Sequence, residues 1–192
     1  SDPANPVKAG ELKIPGFSSY LHPISVNLIL GVGMEASDTG VQSGLKISLF
    51  DVSNLAAPVE SAKYVEFENS YSDVLWDHKA FRYLQAQKLL IIPVSFFNYD
   101  YDTGVYTVYE GFKLYNIDAG AITLKGSISH VNELSDYYYY YYSYIQPRSA
   151  LFSDNLITMK LDSVISSNIQ TLQKNWDLTF DFVEYDYPYI AF

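Results

Sequence analysis

One short pattern recurs in this chain and constrains its fold more than any other feature: an alternating apolar strand that runs straight into an Asp or Asn turn. It appears first as Leu45-Lys46-Ile47-Ser48-Leu49-Phe50-Asp51-Val52-Ser53. Apolar residues at every second position turn one face of a strand toward a core, and a side chain able to bond its own backbone ends the strand in a bend. Gly111-Phe112-Lys113-Leu114-Tyr115-Asn116-Ile117-Asp118 repeats the pattern, with Asn116 in the place of Asp51. The first bend continues as Ser53-Asn54-Leu55-Ala56-Ala57-Pro58-Val59 and a strand-like stretch over residues 60–68. The N-terminus copies this with Ser1-Asp2-Pro3-Ala4-Asn5-Pro6-Val7 and a strand-like stretch over 8–14. The spacing therefore predicts that the chain opens at the turn before the last strand of a repeat.

A second echo marks where each unit begins. Tyr20-Leu21-His22-Pro23-Ile24 precedes a strand over 27–32, and Trp76-Asp77-His78-Lys79-Ala80-Phe81 precedes one over 88–94. Gln146-Pro147-Arg148-Ser149-Ala150-Leu151-Phe152 precedes a third over 155–159. Each unit then holds about four short strands, the content of one propeller blade. The expected fold is all-β, a partial β-propeller of about two complete four-stranded blades plus partial flanking blades. Residues 1–19 are assigned to the last strand of a preceding blade and 20–70 and 71–130 to two blades. A Tyr-rich insert follows over 131–147, with a partial blade and tail over 148–192.

Composition agrees with an all-β chain. Aromatic residues make up 17% of it, with 19 Tyr and 11 Phe, and such side chains favour pleated, half-buried surfaces. Hydrophobic residues at 48% are enough for a core. The formal net charge of -10 repels phosphate backbones and sets nucleic acid aside as a partner. With no Cys there are no disulfides, no thiol nucleophile and no Cys-ligated zinc. No apolar run approaches the roughly 18 residues of a membrane span. A charged-then-apolar leader is absent, as is any Asn-X-Ser/Thr sequon.

Residues 45–53 with Pro58, then 71–81 and 89–94, resemble the secreted proteins of bacteria and archaea that carry a C-terminal β-propeller distantly related to WD repeats. The resemblance spans residues 2–130 well and the third unit loosely. It implies a propeller and export to the exterior or the cell surface, and it brings no established catalytic residues.

Closed propellers have about four to eight blades, because radial repetition is what protects the sheet edges. Too few units are present here to close a ring, so uncovered blade faces predict association with the remaining blades or with a second copy of the chain. Self-sufficiency of the segment is the competing expectation.

Candidate sites are few. His22 and His78 stand just ahead of inner strands, and Asp51 and Asp77 are the carboxylates that could buttress them in a structural network. A catalytic His–Asp pair would also need a nucleophile and an oxyanion site, and no Gly-X-Ser-X-Gly occurs. His130 closes a strand and reads as a solvated or capping residue. Asn98, Asp100 and Asp102, followed by Gly104, place oxygen ligands at alternate positions in the manner of a calcium loop. The same residues also suit the polar turn of a hairpin. Gly31-Val32-Gly33 lacks the third glycine of a dinucleotide loop and suits close backbone packing in a sheet. Tyr137, Tyr138, Tyr139, Tyr140, Tyr141, Tyr142 and Tyr144 offer a candidate protein- or glycan-binding platform, or else rings that cover a neighbouring sheet. The expected function is a noncatalytic extracellular module for protein or glycan interaction. The alternative is an extracellular enzyme acting on polysaccharide or peptide through the propeller channel.

Overall fold

A computed structural model describes residues 2–131, 146–160 and 162–180. Three antiparallel sheets follow one another along the chain. The first is formed in order by β1 (Phe17–Pro23), β2 (Leu28–Ala36), β3 (Gln42–Asp51) and β4 (Val59–Glu68). The second runs β5 (Ser70–Tyr71), β7 (Leu89–Asp100), β8 (Val105–Asp118) and β9 (Ala121–Ser129), with the short β6 (Arg82–Leu84) also paired to β7. The third is β10 (Arg148–Phe152), β11 (Asn155–Lys160), β12 (Ser163–Asn168) and β13 (Lys174–Thr179). Meander connectivity in each sheet is that of a propeller blade. The third unit, expected to be partial, carries four strands.

Register explains why the strand-and-turn pattern was legible. Leu28 lies opposite Asp51, Leu89 opposite Asn116, and Asn155 opposite Asn168, so the three Asx residues share one structural position. Asp51 and Asn168 end their strands, while β8 runs two residues past Asn116 before it turns. Asp51 Oδ1 accepts the Ser53 amide, and Asn168 Oδ1 accepts those of Gln170 and Thr171. These side chains close the bend by standing in for backbone acceptors.

Successive residues of a strand face opposite ways, and β7 is buried on both faces. Leu90, Ile92 and Val94 pack with Leu30, Val32, Leu45, Ile47 and Leu49 of the first sheet. Leu89 and Ile91 turn the other way, with Phe112 and Leu114, onto Leu156 and Ile165 of the third. The second sheet is thus sandwiched between its neighbours along two apolar seams. Each fully buried Leu or Ile there contributes about 1.5–3 kcal/mol of transfer free energy.

Residues 8–14, expected as the last strand of a preceding blade, form no ladder. They cross the outer face of the first sheet instead, with Leu12 and Ile14 half-buried. Gly10 lies against the Leu55 and Ala56 carbonyls, and Pro15 O accepts a 2.7 Å hydrogen bond from the buried Lys46 ammonium. A strand needs a hydrogen-bonded neighbour, and no strand of the described residues lies beside this segment.

Gly31 and Gly33 mark a close approach. A Cβ on Gly33 would sit 1.8 Å from Phe17 O, and one on Gly31 would sit 2.5 Å from Ser18 Oγ. A bulge between Ser18 and Tyr20 draws β1 over β2 at this point.

Candidate functional site

Both seams carry buried charge, and the first is the simpler. Glu66 in β4 reaches across to β8, where its carboxylate accepts Lys113 Nζ at 2.5 Å and Tyr115 OH at 2.7 Å. Tyr64 meets Tyr115 edge-on with ring centroids 5.3 Å apart. Above the pair, Phe67 stacks on Phe96 and Phe96 on Tyr109, and the Lys113 ammonium lies 5.2 Å from the Tyr109 centroid. Burial of the ring, reinforced by the Glu66 charge, raises the Tyr115 hydroxyl far above the usual phenol range. Tyr115 therefore stays a hydrogen-bond donor throughout the accessible pH range.

The second seam gathers more chemistry. Lys160, with a side chain only 6% exposed, holds Asp73 at 3.0 Å and Glu110 at 3.3 Å, and Ser95 Oγ donates to Glu110 at 2.5 Å. Burial raises the Glu110 carboxyl, opposed by Lys160. Burial also works against the Lys160 charge, but Glu110 and Asp73 outweigh it and raise its pKa. Two carboxylates thus share one ammonium in a closed cluster. Acid–base hydrolysis of a glycoside needs two carboxylates flanking a site that admits substrate, whereas here the cation fills the space between them. Nearby, Arg82 Nε donates to the carbonyl and hydroxyl of Ser149, both at 3.0 Å, and Arg148 pairs with Asp77 at 2.8 Å.

His130 completes this seam and corrects its expected role as a solvated cap. It is 2% exposed, with Nδ1 2.7 Å from Ser163 Oγ and Nε2 3.0 Å from Thr158 Oγ1. The extended end of β9 carries it inward onto the third sheet. Hydroxyls stand at both ring nitrogens, and the Nδ1 position that holds the carboxylate of a Ser-His-Asp triad is taken by Ser163, so an imidazolium would have no counter-charge there. Burial and the Lys160 charge lower the His130 pKa to about 4. Unfolding restores an ordinary imidazole near pH 6.5. His130 therefore contributes stability that is fully present above pH 6.5 and is lost as pH falls toward 4, by about 3 kcal/mol at most. Urea unfolding between those pH values should show this slope in the native sequence and a flatter one in His130→Gln. Equal slopes would assign the acid sensitivity elsewhere.

Beside His130 a cleft of about 170 Å³ opens between β9 and β13. Ser127, Ser129, Ser163 and Thr179 line it, with Lys174 and Asp177 at its edge. At the first seam the corresponding outer strands, β4 and β9, pack together.

The residues singled out in the sequence fall elsewhere. His22 lies in β1 and bonds Tyr20 OH through Nδ1 at 3.2 Å, while His78 is exposed in a 3₁₀ turn and stacks on Tyr20. Neither meets Asp51 or Asp77. Asp51 holds its own turn, and Asp77 caps the 3₁₀ turn through the Lys79 amide and pairs with Arg148. Register makes Arg82, opposite Ile91, the counterpart of His22, opposite Leu30. Asn98 and Asp100 sit on adjoining strand positions of one face, and Asp102 lies in the hairpin turn. Asp100 Oδ1 accepts the amides of Asp102 and Thr103, and Gly104 has φ +71°. Tyr137, Tyr138, Tyr139, Tyr140, Tyr141, Tyr142 and Tyr144 lie outside the described residues. Sequence reasoning passed over Glu66, Lys113, Glu110 and Lys160. The available signal was a charged residue inside an otherwise apolar strand, as at Lys113 in Phe112-Lys113-Leu114. Among the described residues no helix is long and apolar enough to cross a membrane.

Comparison with known proteins adds a family. An uncharacterized protein of Archaeoglobus fulgidus is 36% identical over 139 residues, covering 72% of this chain and 20% of that protein. An uncharacterized protein of Methanocaldococcus jannaschii is 44% identical over 92 residues, covering 48% of this chain and 14% of that protein. The chain thus spans a fifth or less of the length of these relatives. No solved structure matches it significantly. The family model described as "Beta propeller domain" matches residues 1–172, which include the first two sheets and most of the third. Three consecutive meander sheets and that match lead to one conclusion: the chain belongs to the beta propeller domain family.

Proposed function

We propose that the chain is a noncatalytic interaction module, a run of consecutive blades within a larger propeller that works outside the cell on a protein or glycan ligand. One observation carries this reading. In the first and second sheets, the face turned toward the following sheet is apolar and covered. The corresponding face of the third sheet is largely apolar and, among the described residues, has no further sheet packed on it. Leu156 and Ile165 point into the second seam, so Ile157, Met159 and Val164 point away from it and are half-buried. Trp176, opposite Ser166, is 50% exposed, and Leu178, opposite Val164, is 53% exposed. A contiguous apolar face of this kind is the signature of an interface. The much greater length of the archaeal relatives leaves room for further blades. The noncatalytic part is supported by the closed cluster at the second seam, where the Lys160 ammonium occupies the space between the two carboxylates. Exterior location rests on the resemblance to secreted propeller proteins.

Sedimentation velocity tests the interface. The isolated chain is expected to associate with rising concentration, and Trp176→Asp with Leu178→Asp to return it to monomer. A monomer at every concentration, or association indifferent to both substitutions, would remove this face as a blade-docking surface.

A further inference from the structure

The loop leading from the first sheet to the second carries a feature that neither seam explains. Two 3₁₀ turns, Asp73–Leu75 and His78–Ala80, follow each other, and both are capped. Ser72 Oγ accepts the Val74 amide and Asp77 Oδ1 the Lys79 amide. Val74 and Ala80 anchor the loop in the first core. Between these anchors Trp76 is held out, 66% exposed, and stacks on the 40% exposed Tyr71 with centroids 6.1 Å apart and planes 28° from parallel. Leaving an indole largely in water forgoes roughly 2 kcal/mol of transfer free energy. A capped, anchored loop that does so presents a preorganised ring surface.

The surroundings of the rings indicate what would cover them. Asp77 and Arg148 form an ion pair on the residue next to Trp76, and Asp73 with Lys160 lies beside Tyr71. The centre of a protein interface is depleted of charge, and a stable one covers about 800 Å² on each partner. This patch is one indole and one phenol rimmed by ion pairs. A pyranose unit matches it better. The C–H face of the sugar covers a ring, while its hydroxyls donate to the Asp77 carboxylate and accept from the Arg148 guanidinium.

We propose that Trp76, Tyr71, Asp77 and Arg148 form a carbohydrate subsite that takes one pyranose unit of a neutral glycan. This deepens the interaction-module reading and rests on it. The test begins in a Trp176→Phe background, which leaves Trp76 as the one indole of the chain, since there are two Trp in all. A printed array of microbial, plant and animal oligosaccharides is probed first. Tetrasaccharides of glucose, N-acetylglucosamine and mannose are then titrated against Trp76 fluorescence. Binding should quench or shift the emission; its affinity, read by titration calorimetry, should fall at least tenfold in Trp76→Ala and return in part in Trp76→Phe, with the melting temperature unchanged. Glycan binding indifferent to Trp76→Ala would overturn the subsite while leaving the module reading intact. Silence across the array would also overturn it, and so would a protein ligand whose binding is lost with Trp76→Ala. Blade docking, read by sedimentation, is independent of all three results.

Discussion

Glu66→Ala should lower the unfolding free energy by about 3–5 kcal/mol, the usual cost of removing one partner from a buried ion pair. The reason lies across the first seam. Glu66 is 8% exposed and accepts both the Lys113 ammonium and the Tyr115 hydroxyl. Its loss leaves a cation and a phenol stranded between two sheets, where water reaches neither freely. Replacing all three groups together should cost far less. Glu66→Leu combined with Lys113→Met and Tyr115→Phe leaves no polar group unpaired, and such exchanges are often neutral. Urea unfolding of the single and triple variants checks both statements. A cost below about 1 kcal/mol for the single variant would mean that solvent enters the seam.

The second large effect is expected from Gly33→Val. Even a single Cβ would lie 1.8 Å from Phe17 O and 2.6 Å from Phe17 C. The obstacle is backbone, so no side-chain rotation relieves it, and β1 must leave β2 near its bulge. A loss of about 3 kcal/mol or more follows, at the upper end for overpacking. Gly120 serves as the contrast. It lies in the turn between β8 and β9, and a Cβ added there would meet nothing within 4 Å. Gly120→Ala should be neutral, or stabilising by about 0.4–1 kcal/mol through the unfolded chain. Thermal melts of the two variants should differ by about 6 °C or more, given about 2–4 °C per kcal/mol in chains of this size. Similar melts would show that β1 is not held at this crossing.

What the sequence disclosed and what it withheld have a common physical cause. Asp51 and Asn116 could be matched because an alternating apolar strand that runs into an Asx residue is a local signal, although of the two only Asp51 ends its strand. The third such residue, Asn168, went unnoticed because its strand, Ser163–Asn168, carries three serines and lacks the apolar alternation. The match between His22 and His78 failed on register. The two 3₁₀ turns at 73–80 take up chain between the sheets, so the second sheet reaches the equivalent position at Arg82. The candidate cluster was less legible than the fold. Lys160 meets Asp73 and Glu110 only because two sheets stack, and nothing within one strand announces a partner on the next. His130 illustrates the same limit: a histidine after a strand looks like a cap until a second sheet closes over it.

Stacking of the three sheets in chain order, with the second between the others, underlies the buried ion pairs, the outward apolar face of the third sheet and the blade reading alike. Nuclear Overhauser contacts from the methyl groups of two consecutive residues, Ile91 and Ile92, test it most directly. Ile92 should show contacts to Val32 and Ile47 of the first sheet, and Ile91 to Leu156 and Ile165 of the third. Both methyl sets reporting the same neighbouring sheet, or contacts from the first sheet directly to the third across this core, would contradict it.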